Sequence, residues 1–217
     1  MKSVMPPRPR LLLADDHTLV LAAFQNMLEP EYEVVGAVAD GRALVDFALR
    51  LKPALIVADF YMPLLNGLDA ARLILQELPT AKLVVLTMDQ DPDLAACAFR
   101  LGVSGYLLKN SAGAELKRCL AEVCAGRRYL TPAIAHGCIA DLLLLSEDAA
   151  GSQALSERER EVVQLLAEGR PMKQVADILA ISPRTVQFHK YRVMERFHLR
   201  SSAEVVQFAI HNKLIAA

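Results

Sequence analysis

Short apolar runs alternate with stretches of helical periodicity through the first 126 residues of the chain. The runs predict five strands, at residues 10–14, 33–39, 55–58, 82–87 and 105–109. The stretches between them carry apolar residues at helical spacing, which predicts five helices, at residues 18–28, 41–51, 68–78, 91–101 and 115–124. Strands that alternate with helices are typical of a doubly wound, flavodoxin-like α/β fold with a five-stranded parallel sheet.

The third apolar run, residues 55–58, leads directly into Asp59. This run has no polar alternation, which indicates a strand buried on both faces, as in a parallel sheet covered by helices. Asp59 therefore lies at the carboxyl end of its strand, where such sheets bind ligands and carry out chemistry. A loop that contains Met62, Pro63 and Gly67 follows it.

The pattern changes after residue 126. Residues 134–145 are typical of one more apolar helix, and residues 146–153 are small and polar, as in a flexible linker. We therefore assign residues 1–9 to a disordered arm, 10–126 to an α/β domain, 127–153 to a linker with a helix, and 154–217 to an all-helical domain.

Four helices are expected in the last domain. Ser156 should cap the first, residues 172–179 form the second, and residues 183–197 form the third, with Pro183 at its first helical position. Ser202 should cap the fourth. Two helices joined by a short turn at residues 180–182 predict a helix-turn-helix arrangement.

Charge divides the chain in the same place. The 217 residues carry a net charge of −1, but residues 1–151 hold 14 basic and 18 acidic side chains, whereas residues 152–217 hold 10 basic and 7 acidic ones. An acidic domain is thus followed by a basic one. No apolar run is long enough to span a membrane, and the amino-terminal prolines and arginines do not suit a signal peptide, so we expect a soluble cytoplasmic protein.

The cysteines give no sign of a metal site or a disulfide. Cys97, Cys119, Cys124 and Cys138 lie in apolar helical patterns without a C-x-x-C pair. We expect them to be buried, reduced thiols.

Polar residues follow several of the predicted strands. Asp15, Asp16, Asp59, Thr87 and Lys109 all fall at carboxyl ends, although each alone could be an ordinary surface group. Carboxylates crowded at one edge repel one another unless a cation joins them, and Mg²⁺ suits carboxylate oxygens and leaves positions for phosphate. Asp59 would then be a nucleophile that accepts a phosphoryl group, with Lys109 and Thr87 stabilising the transferred charge.

These motifs in this order resemble a response-regulator receiver domain: ADDH at 14–17, D-x-x-M-P-x-x-x-G at 59–67, LT at 86–87 and GYLLK at 105–109. The resemblance implies that a sensor histidine kinase phosphorylates Asp59. It also implies that Asp15, Asp16, Asp59 and the backbone carbonyl of Tyr61 bind Mg²⁺, and that no other cofactor is bound.

Tyr106 precedes Lys109 by three positions, and Asn110 follows it directly. Tyr106 is either a half-buried strand aromatic or, by the resemblance, a switch residue that swings inward when Thr87 moves to the phosphate. Asn110 follows Lys109 where many receivers have proline, which leaves open whether the peptide bond between them is cis.

The last domain resembles the DNA-binding domain of the NarL/FixJ regulators, which is of the LuxR helix-turn-helix type. The resemblance is carried by LSEREREVVQLLAEG at 155–169 and KQVADILAISPRTVQFH at 173–189. It implies that the third helix enters the major groove of double-stranded DNA. The candidate contact residues are Lys173, Arg184, Thr185, Gln187, Phe188, Lys190, Tyr191, Arg192 and Arg196.

The leading hypothesis is a two-component transcription regulator that forms a homodimer at least when phosphorylated and has no membrane partner. An alternative is constitutive DNA binding by a receiver that is not phosphorylated in the cell. An enzyme is the third alternative, but the first strand lacks a flavin-phosphate loop, and Asp15-Asp16 does not fit the D-x-D-x-T motif of aspartyl-phosphate hydrolases. We therefore expect a regulator and not an enzyme.

Overall fold

The computed structural model describes residues 8–134 and 155–216. The first stretch contains six strands: β1 (Arg10–Ala14), β2 (Glu33–Val38), β3 (Leu55–Asp59), β4 (Lys82–Thr87), β5 (Gly105–Leu108) and β6 (Tyr129–Leu130). It also contains five helices: α1 (Thr18–Leu28), α2 (Gly41–Leu51), α3 (Gly67–Glu77), α4 (Pro92–Arg100) and α5 (Ala112–Cys124).

The strands form one parallel sheet in the order β2-β1-β3-β4-β5-β6. The chain goes from β1 outward to β2, returns to β3 and then continues to the other edge, which is the doubly wound topology. The predicted fold class is confirmed. Because all strands point the same way, the residues that follow β1, β3, β4 and β5 lie along one edge of the sheet.

The core lies on both faces of the sheet. Alternate residues of the central strands, such as Leu13, Val57 and Leu107, pack with α1 and α5, and their neighbours in the same strands are equally buried. This is why the apolar runs show no polar alternation. The helices are short and amphipathic, and no helix among the described residues has the length and apolar character needed to cross a membrane.

The sheet has one strand more than the five predicted. Tyr129 pairs with Gly105, and Leu130 pairs with Tyr106, so that β6 extends the sheet beyond β5. A strand of two residues is too short to produce a recognisable apolar pattern, and its hydrogen bonds to β5 define it instead. Strand β6 lies in the stretch assigned to the linker. Three predicted segments lie wholly or mostly outside the described residues: residues 1–7 of the arm, most of the helix at 134–145, and the linker residues 146–153.

The second stretch is all helical, as expected. Its helices are α6 (Glu157–Ala167), α7 (Met172–Ile178), α8 (Pro183–Arg196) and α9 (Ser202–His211). One apolar cluster joins α6, α7 and the start of α8 through Val162, Val175 and Val186. A second joins α6, the end of α8 and α9 through Val163, Val193 and Val205. Helix α8 is therefore held by α6 along both of its halves.

Three of these helices start at a serine cap. Ser156 forms a capping box with Glu159, and the Ser182 hydroxyl accepts the backbone N–H of Thr185. The cap of α9 is Ser201, whose hydroxyl accepts the backbone N–H of Glu204, and Ser202 is the first helical residue. The prediction of Ser202 as the cap was wrong by one position because two adjacent serines are equally good caps.

A residue with a left-handed backbone conformation lies two positions after the end of α8. His198 has φ of +56°, its N–H donates to the carbonyl of Glu195, and the next N–H, of Leu199, donates to Met194. This is the Schellman arrangement, in which glycine is preferred because a Cβ atom is strained there. The strained backbone of His198 therefore lowers the free energy of unfolding of this helical stretch.

We expect His198→Gly to raise the free energy of unfolding of the second stretch, residues 155–216, by about 0.5–1 kcal/mol, because glycine adopts positive φ without strain. We call this stretch the second unit below. Urea unfolding of the purified chain should show a higher midpoint. Arg200→Gly, at an exposed position without positive φ, is the matched control and should lower the midpoint. A midpoint for His198→Gly at or below that of the wild type would contradict the expectation.

The cysteines differ in exposure. Cys97, Cys119 and Cys124 are free thiols, as predicted, and Cys138 lies outside the described residues. Cys119 is buried, and burial raises the pKa of its thiol to about 12. Cys124 is exposed, so the prediction that it is buried was wrong. It occupies the last turn of α5, where the helix ends at the surface.

Candidate functional site

Three carboxylates meet at the edge formed by the carboxyl ends of the strands. Asp15 and Asp16 follow β1, and Asp59 is the last residue of β3. Ligand atoms of these residues and of His17 all lie within 4.8 Å of one another. Asp15 is 0% exposed and Asp59 4%, whereas Asp16 reaches solvent. The sheet thus gathers acids that are 44 positions apart in the chain.

Lys109 provides the positive charge of this cluster. Its Nζ lies 2.8 Å from Asp15 Oδ2 and 2.8 Å from Asp59 Oδ2. The backbone N–H of Lys109 donates to the carbonyl of Thr87, so β4 fixes the residue at the end of β5. The peptide bond between Lys109 and Asn110 is trans. Burial disfavours the ammonium, but the two carboxylates outweigh it and raise the pKa of Lys109.

The environment of Asp59 favours a carboxylate that is reactive rather than inert. Burial raises its pKa to about 6, and the hydrogen bond and charge of Lys109 act in the opposite direction. At neutral pH Asp59 is therefore still mostly ionised. A desolvated carboxylate of raised basicity, held beside one ammonium group, is suited to act as a nucleophile.

Thr87, the last residue of β4, and Tyr106, in β5, are both buried. Thr87 is 1% exposed, and its hydroxyl accepts the backbone N–H of Asp89 at 3.0 Å. Tyr106 is 0% exposed, so it is fully buried and not half-buried as the simpler interpretation held. Burial, which is the main effect, raises the pKa of its phenol well above the usual range. The ring of Tyr106 is thus in the inward position.

The loop after Asp59 returns tightly to the strand. The backbone N–H of Gly67 donates to the carbonyl of Phe60 at 2.7 Å, and Phe60 in turn donates to Leu86 in β4. A Cβ atom on Gly67 would lie 2.1 Å from the Asp59 carbonyl oxygen, so only glycine fits. Tyr61 lies in this loop, and burial raises the pKa of its phenol to about 12.

The donor set fits a hard divalent cation. Asp15, Asp16 and Asp59 offer carboxylate oxygens, which Mg²⁺ prefers, and the buried Asp15 and Asp59 repel each other unless positive charge lies between them. His17 belongs to the same cluster and was missed as a site residue. Its Nδ1 lies 3.1 Å from Asp15 Oδ1 and 2.8 Å from Asp16 Oδ1. The ADDH motif contained it, and its position next to both acids was the available signal.

The second unit presents one helix with an exposed, mixed basic and aromatic face. Helices α7 and α8 are joined by a turn in which Ala180 has φ of +51°, and Ile181 and Ala180 donate back to Ala176 and Asp177. Val186 and Val193 of α8 are fully buried. The exposed positions of this region include Lys173, Arg184, Gln187, Phe188, Tyr191 and Arg192, which are all predicted DNA contacts.

Two of these exposed side chains are large aromatics. Phe188 is 59% exposed and Tyr191 58%, and they lie three positions apart, on the same side of α8. Large apolar groups that stay in water are unfavourable, and adjacent exposed ones indicate a contact surface. They occupy the middle of the helix, between basic residues at either end.

The arginines at the end of α8 have partners within the unit. Arg196 donates to Glu159 Oε2 at 3.0 Å, and Arg192 Nε lies 3.5 Å from Glu159 Oε1. Glu159 is the buried capping-box residue of α6, and hydrogen bonds and these charges keep its pKa low despite burial. Lys190 donates to the Ser202 hydroxyl, and Thr185 contacts the Ser182 hydroxyl. One carboxylate thus links the start of α6 to the end of α8.

An acid cluster with one lysine on a doubly wound sheet, followed by a basic helix-turn-helix unit, defines a receiver joined to a DNA-binding domain. The model of the response regulator receiver domain matches residues 11–121, and that of the bacterial regulatory proteins of the luxR family matches residues 153–209. The chain belongs to the response regulators that carry a LuxR-type DNA-binding domain, the NarL/FixJ group, which are transcription regulators.

Known proteins resemble the chain over nearly its whole length. The transcriptional regulatory protein LiaR of Bacillus subtilis (strain 168) is 32% identical over 209 residues, which cover 95% of this chain and 99% of LiaR. RcsB from Salmonella enterica serovar Typhimurium, bound to promoter P1flhDC in the presence of the phosphomimetic BeF3⁻, is 26% identical with a TM-score of 0.56, over 93% of this chain and 97% of RcsB. A structure of two RcsB dimers bound to two parallel DNAs is 25% identical with a TM-score of 0.56, over the same shares.

Proposed function

We propose that this response regulator is switched by phosphorylation of Asp59 by a sensor histidine kinase in the cytoplasm, and that the phosphorylated chain controls transcription by binding promoter DNA as a homodimer. The observation that carries the proposal is the position of Asp59. Its buried carboxylate lies 2.8 Å from the Lys109 ammonium and beside two further aspartates at the carboxyl edge of the sheet. Buried acids with a purely structural role are typically paired one to one with a cation, and they do not gather three carboxylates around a single lysine.

The proposed reaction is a direct phosphoryl transfer. An oxygen of the Asp59 carboxylate attacks the phosphorus of a phosphohistidine. A P–O bond forms while the P–N bond breaks, and the electron pair of that bond returns to the imidazole nitrogen. Lys109 neutralises negative charge on the transferring group, and the Thr87 hydroxyl, which has a proton to donate, can turn to a phosphoryl oxygen.

Asp15, Asp16, Asp59 and the backbone carbonyl of Tyr61 would hold Mg²⁺. When bound, the ion supplies positive charge to the phosphoryl oxygens. The chain itself supplies the rest: Asp15 and Asp59 orient Lys109, and Gly67 lets the loop pass close to the Asp59 carbonyl, so that the loop keeps its shape.

Phosphorylation would change the charge balance at this edge. It adds about −1.5 to −2 charges at a site where Lys109 already serves two carboxylates. The Thr87 hydroxyl would then give up the hydrogen bond that it accepts from the Asp89 N–H and would donate a hydrogen bond to a phosphoryl oxygen. The buried Tyr106 ring would be held in its inward position. The RcsB dimers on DNA support dimerisation as the outcome.

We propose that α8 reads the major groove. Gln187, Phe188 and Tyr191 are exposed in its middle and would face the bases, while Lys173, Arg184, Thr185, Lys190 and Arg192 would contact phosphates. Arg192 is 60% exposed and can do so while Glu159 holds it. Arg196 is 30% exposed and ion-paired, so we assign it chiefly to holding α8 against α6. The RcsB complex with promoter DNA supports this interface.

The direct test is to treat the purified chain with acetyl phosphate, a small phosphodonor, and Mg²⁺. We expect one phosphoryl group per chain, located on Asp59 by peptide mass spectrometry, and no labelling when EDTA is present. If Asp59 stayed unlabelled while the chain bound DNA, the protein would be a constitutive regulator instead.

A further inference from the structure

The two-residue strand β6 joins the receiver to the chain that leads to the DNA-binding domain. Its backbone pairs with β5: Tyr129 N–H donates to the carbonyl of Ser104, and Thr131 N–H donates to the carbonyl of Tyr106. The strand stops there because Pro132 has no N–H and begins a helical turn. The segment is thus fastened to the strand that carries Tyr106.

Thr131 makes a second, side-chain bond to the same strand. Its hydroxyl oxygen accepts the backbone N–H of Leu108 at 3.0 Å. The hydroxyl thereby replaces the carbonyl that a longer β6 would have offered to Leu108. Thr131 is 2% exposed, so water cannot take over this bond. Thr131 is therefore hydrogen-bonded to β5 on both sides of Leu107: its N–H donates to the Tyr106 carbonyl, and its hydroxyl accepts from the Leu108 N–H.

Leu108 is next to the site lysine. The N–H of Leu108 points to Thr131, and the following N–H, of Lys109, donates to Thr87 on the opposite neighbour strand. The Nζ of Lys109 then contacts Asp59 at 2.8 Å. One short path of hydrogen bonds and covalent bonds therefore connects Asp59 with the first residue after β6.

We propose that the Thr131 hydroxyl is a positioning group that couples the Asp59 site to the interdomain linker, so that a displacement of Lys109 on phosphorylation moves the start of the linker. The inference rests on the proposed function, since it needs Asp59 to be the switch. It adds a residue outside the acid cluster, which acts through β5 and touches neither phosphate nor DNA.

The test compares wild type, Thr131→Val and Thr131→Ser as full-length chains. Valine keeps the shape of threonine but cannot accept the Leu108 N–H, whereas serine retains the hydroxyl. DNA selected from a random-sequence pool by the wild-type chain with beryllium fluoride serves as the ligand. Beryllium fluoride with Mg²⁺ mimics the bound phosphoryl group without a transfer step, so differences in phosphorylation rate do not enter. Affinity is measured with and without it.

We expect wild type and Thr131→Ser to gain affinity with beryllium fluoride, and Thr131→Val to lose at least half of that gain on a logarithmic scale while its affinity without the mimic is unchanged. Circular dichroism controls for folding. A full gain in Thr131→Val, or an equal loss in Thr131→Ser, would overturn the coupling. No gain in the wild type would instead refute the phosphorylation switch itself, which separates the two failures.

A second measurement tests the hydrogen bond between Leu108 and Thr131 directly. Amide hydrogen exchange of the unphosphorylated chain should be faster at Leu108 in Thr131→Val than in wild type or Thr131→Ser. A purely structural role would speed exchange across the sheet. Unchanged exchange at Leu108 would contradict the proposal.

Discussion

Replacing Asp59 by asparagine should leave the protein with one DNA affinity, the same with and without acetyl phosphate and Mg²⁺. Asparagine has nearly the shape of aspartate, and its amide oxygen can still accept a hydrogen bond from Lys109. It cannot form an acyl phosphate, because its side chain offers no carboxylate nucleophile. The whole phosphorylation-dependent gain in affinity should therefore disappear, and the measurement is a titration of promoter DNA followed by fluorescence anisotropy.

The loss should not reflect unfolding. Burial raises the pKa of Asp59 to about 6, above its unfolded value, so the folded state prefers the neutral form and is destabilised by the charge as pH rises through that range. A neutral asparagine removes this desolvation cost, and the thermal midpoint of Asp59→Asn at neutral pH, without metal, should not fall below that of wild type.

Asp46→Asn is a matched control for this experiment. Asp46 is an exposed acid on α2, outside the acid cluster, and the substitution changes charge in the same way. It should keep both the labelling and the gain in affinity. A gain that survived in Asp59→Asn would contradict the proposed switch, whatever Asp46→Asn did.

Phe188→Ala should weaken binding to selected DNA by roughly 10- to 100-fold, which corresponds to about 1.4–2.7 kcal/mol. Phe188 is 59% exposed in the free protein, so the apolar surface it removes from water on binding is available as binding free energy. We expect the apolar partner of Phe188 in the major groove to be the C5-methyl group of a thymine. The slope of affinity against salt concentration should change little, because no phosphate contact is lost.

Uracil substitution identifies that partner. Uracil differs from thymine only by the methyl group, so dT-to-dU replacement at the contacted position should weaken wild type and leave Phe188→Ala unaffected. Leu19→Ala removes another exposed apolar side chain, 85% exposed, from the receiver and should not alter affinity. If every dU-substituted site bound wild type normally, the thymine contact would be refuted.

The three aspartates of the acid cluster could be predicted from local patterns, because Asp15-Asp16 follows one apolar run and Asp59 ends another, whereas the neighbouring His17 was missed. Runs such as the one before Asp59 are buried on both faces, and a parallel sheet brings their ends to one edge, so linear order was enough. The inward ring of Tyr106 was beyond that reasoning, since the depth of a strand aromatic depends on the packing of α4 against β5, which no spacing rule encodes.

Other features depend on contacts distant in sequence. The ion pair between Glu159 and Arg196 joins positions 37 residues apart, whereas the sequence alone placed Arg196 among the candidate DNA contacts. Strand β6 was invisible because Tyr129 and Leu130 become a strand only through β5. Such hydrogen bonds and ion pairs follow from the assembled fold, and no property of the isolated segment predicts them.

The shortness of β6 also limits the pairing of another chain with this edge of the sheet. The last strand of an open sheet presents unpaired backbone groups on which a strand from another molecule can add. Here that edge is two residues long, and Pro132 directly after Thr131 removes the next donor. A second copy of the chain finds too few backbone groups there to extend the sheet. The same two residues that carry the receiver into its linker therefore limit edge-to-edge aggregation.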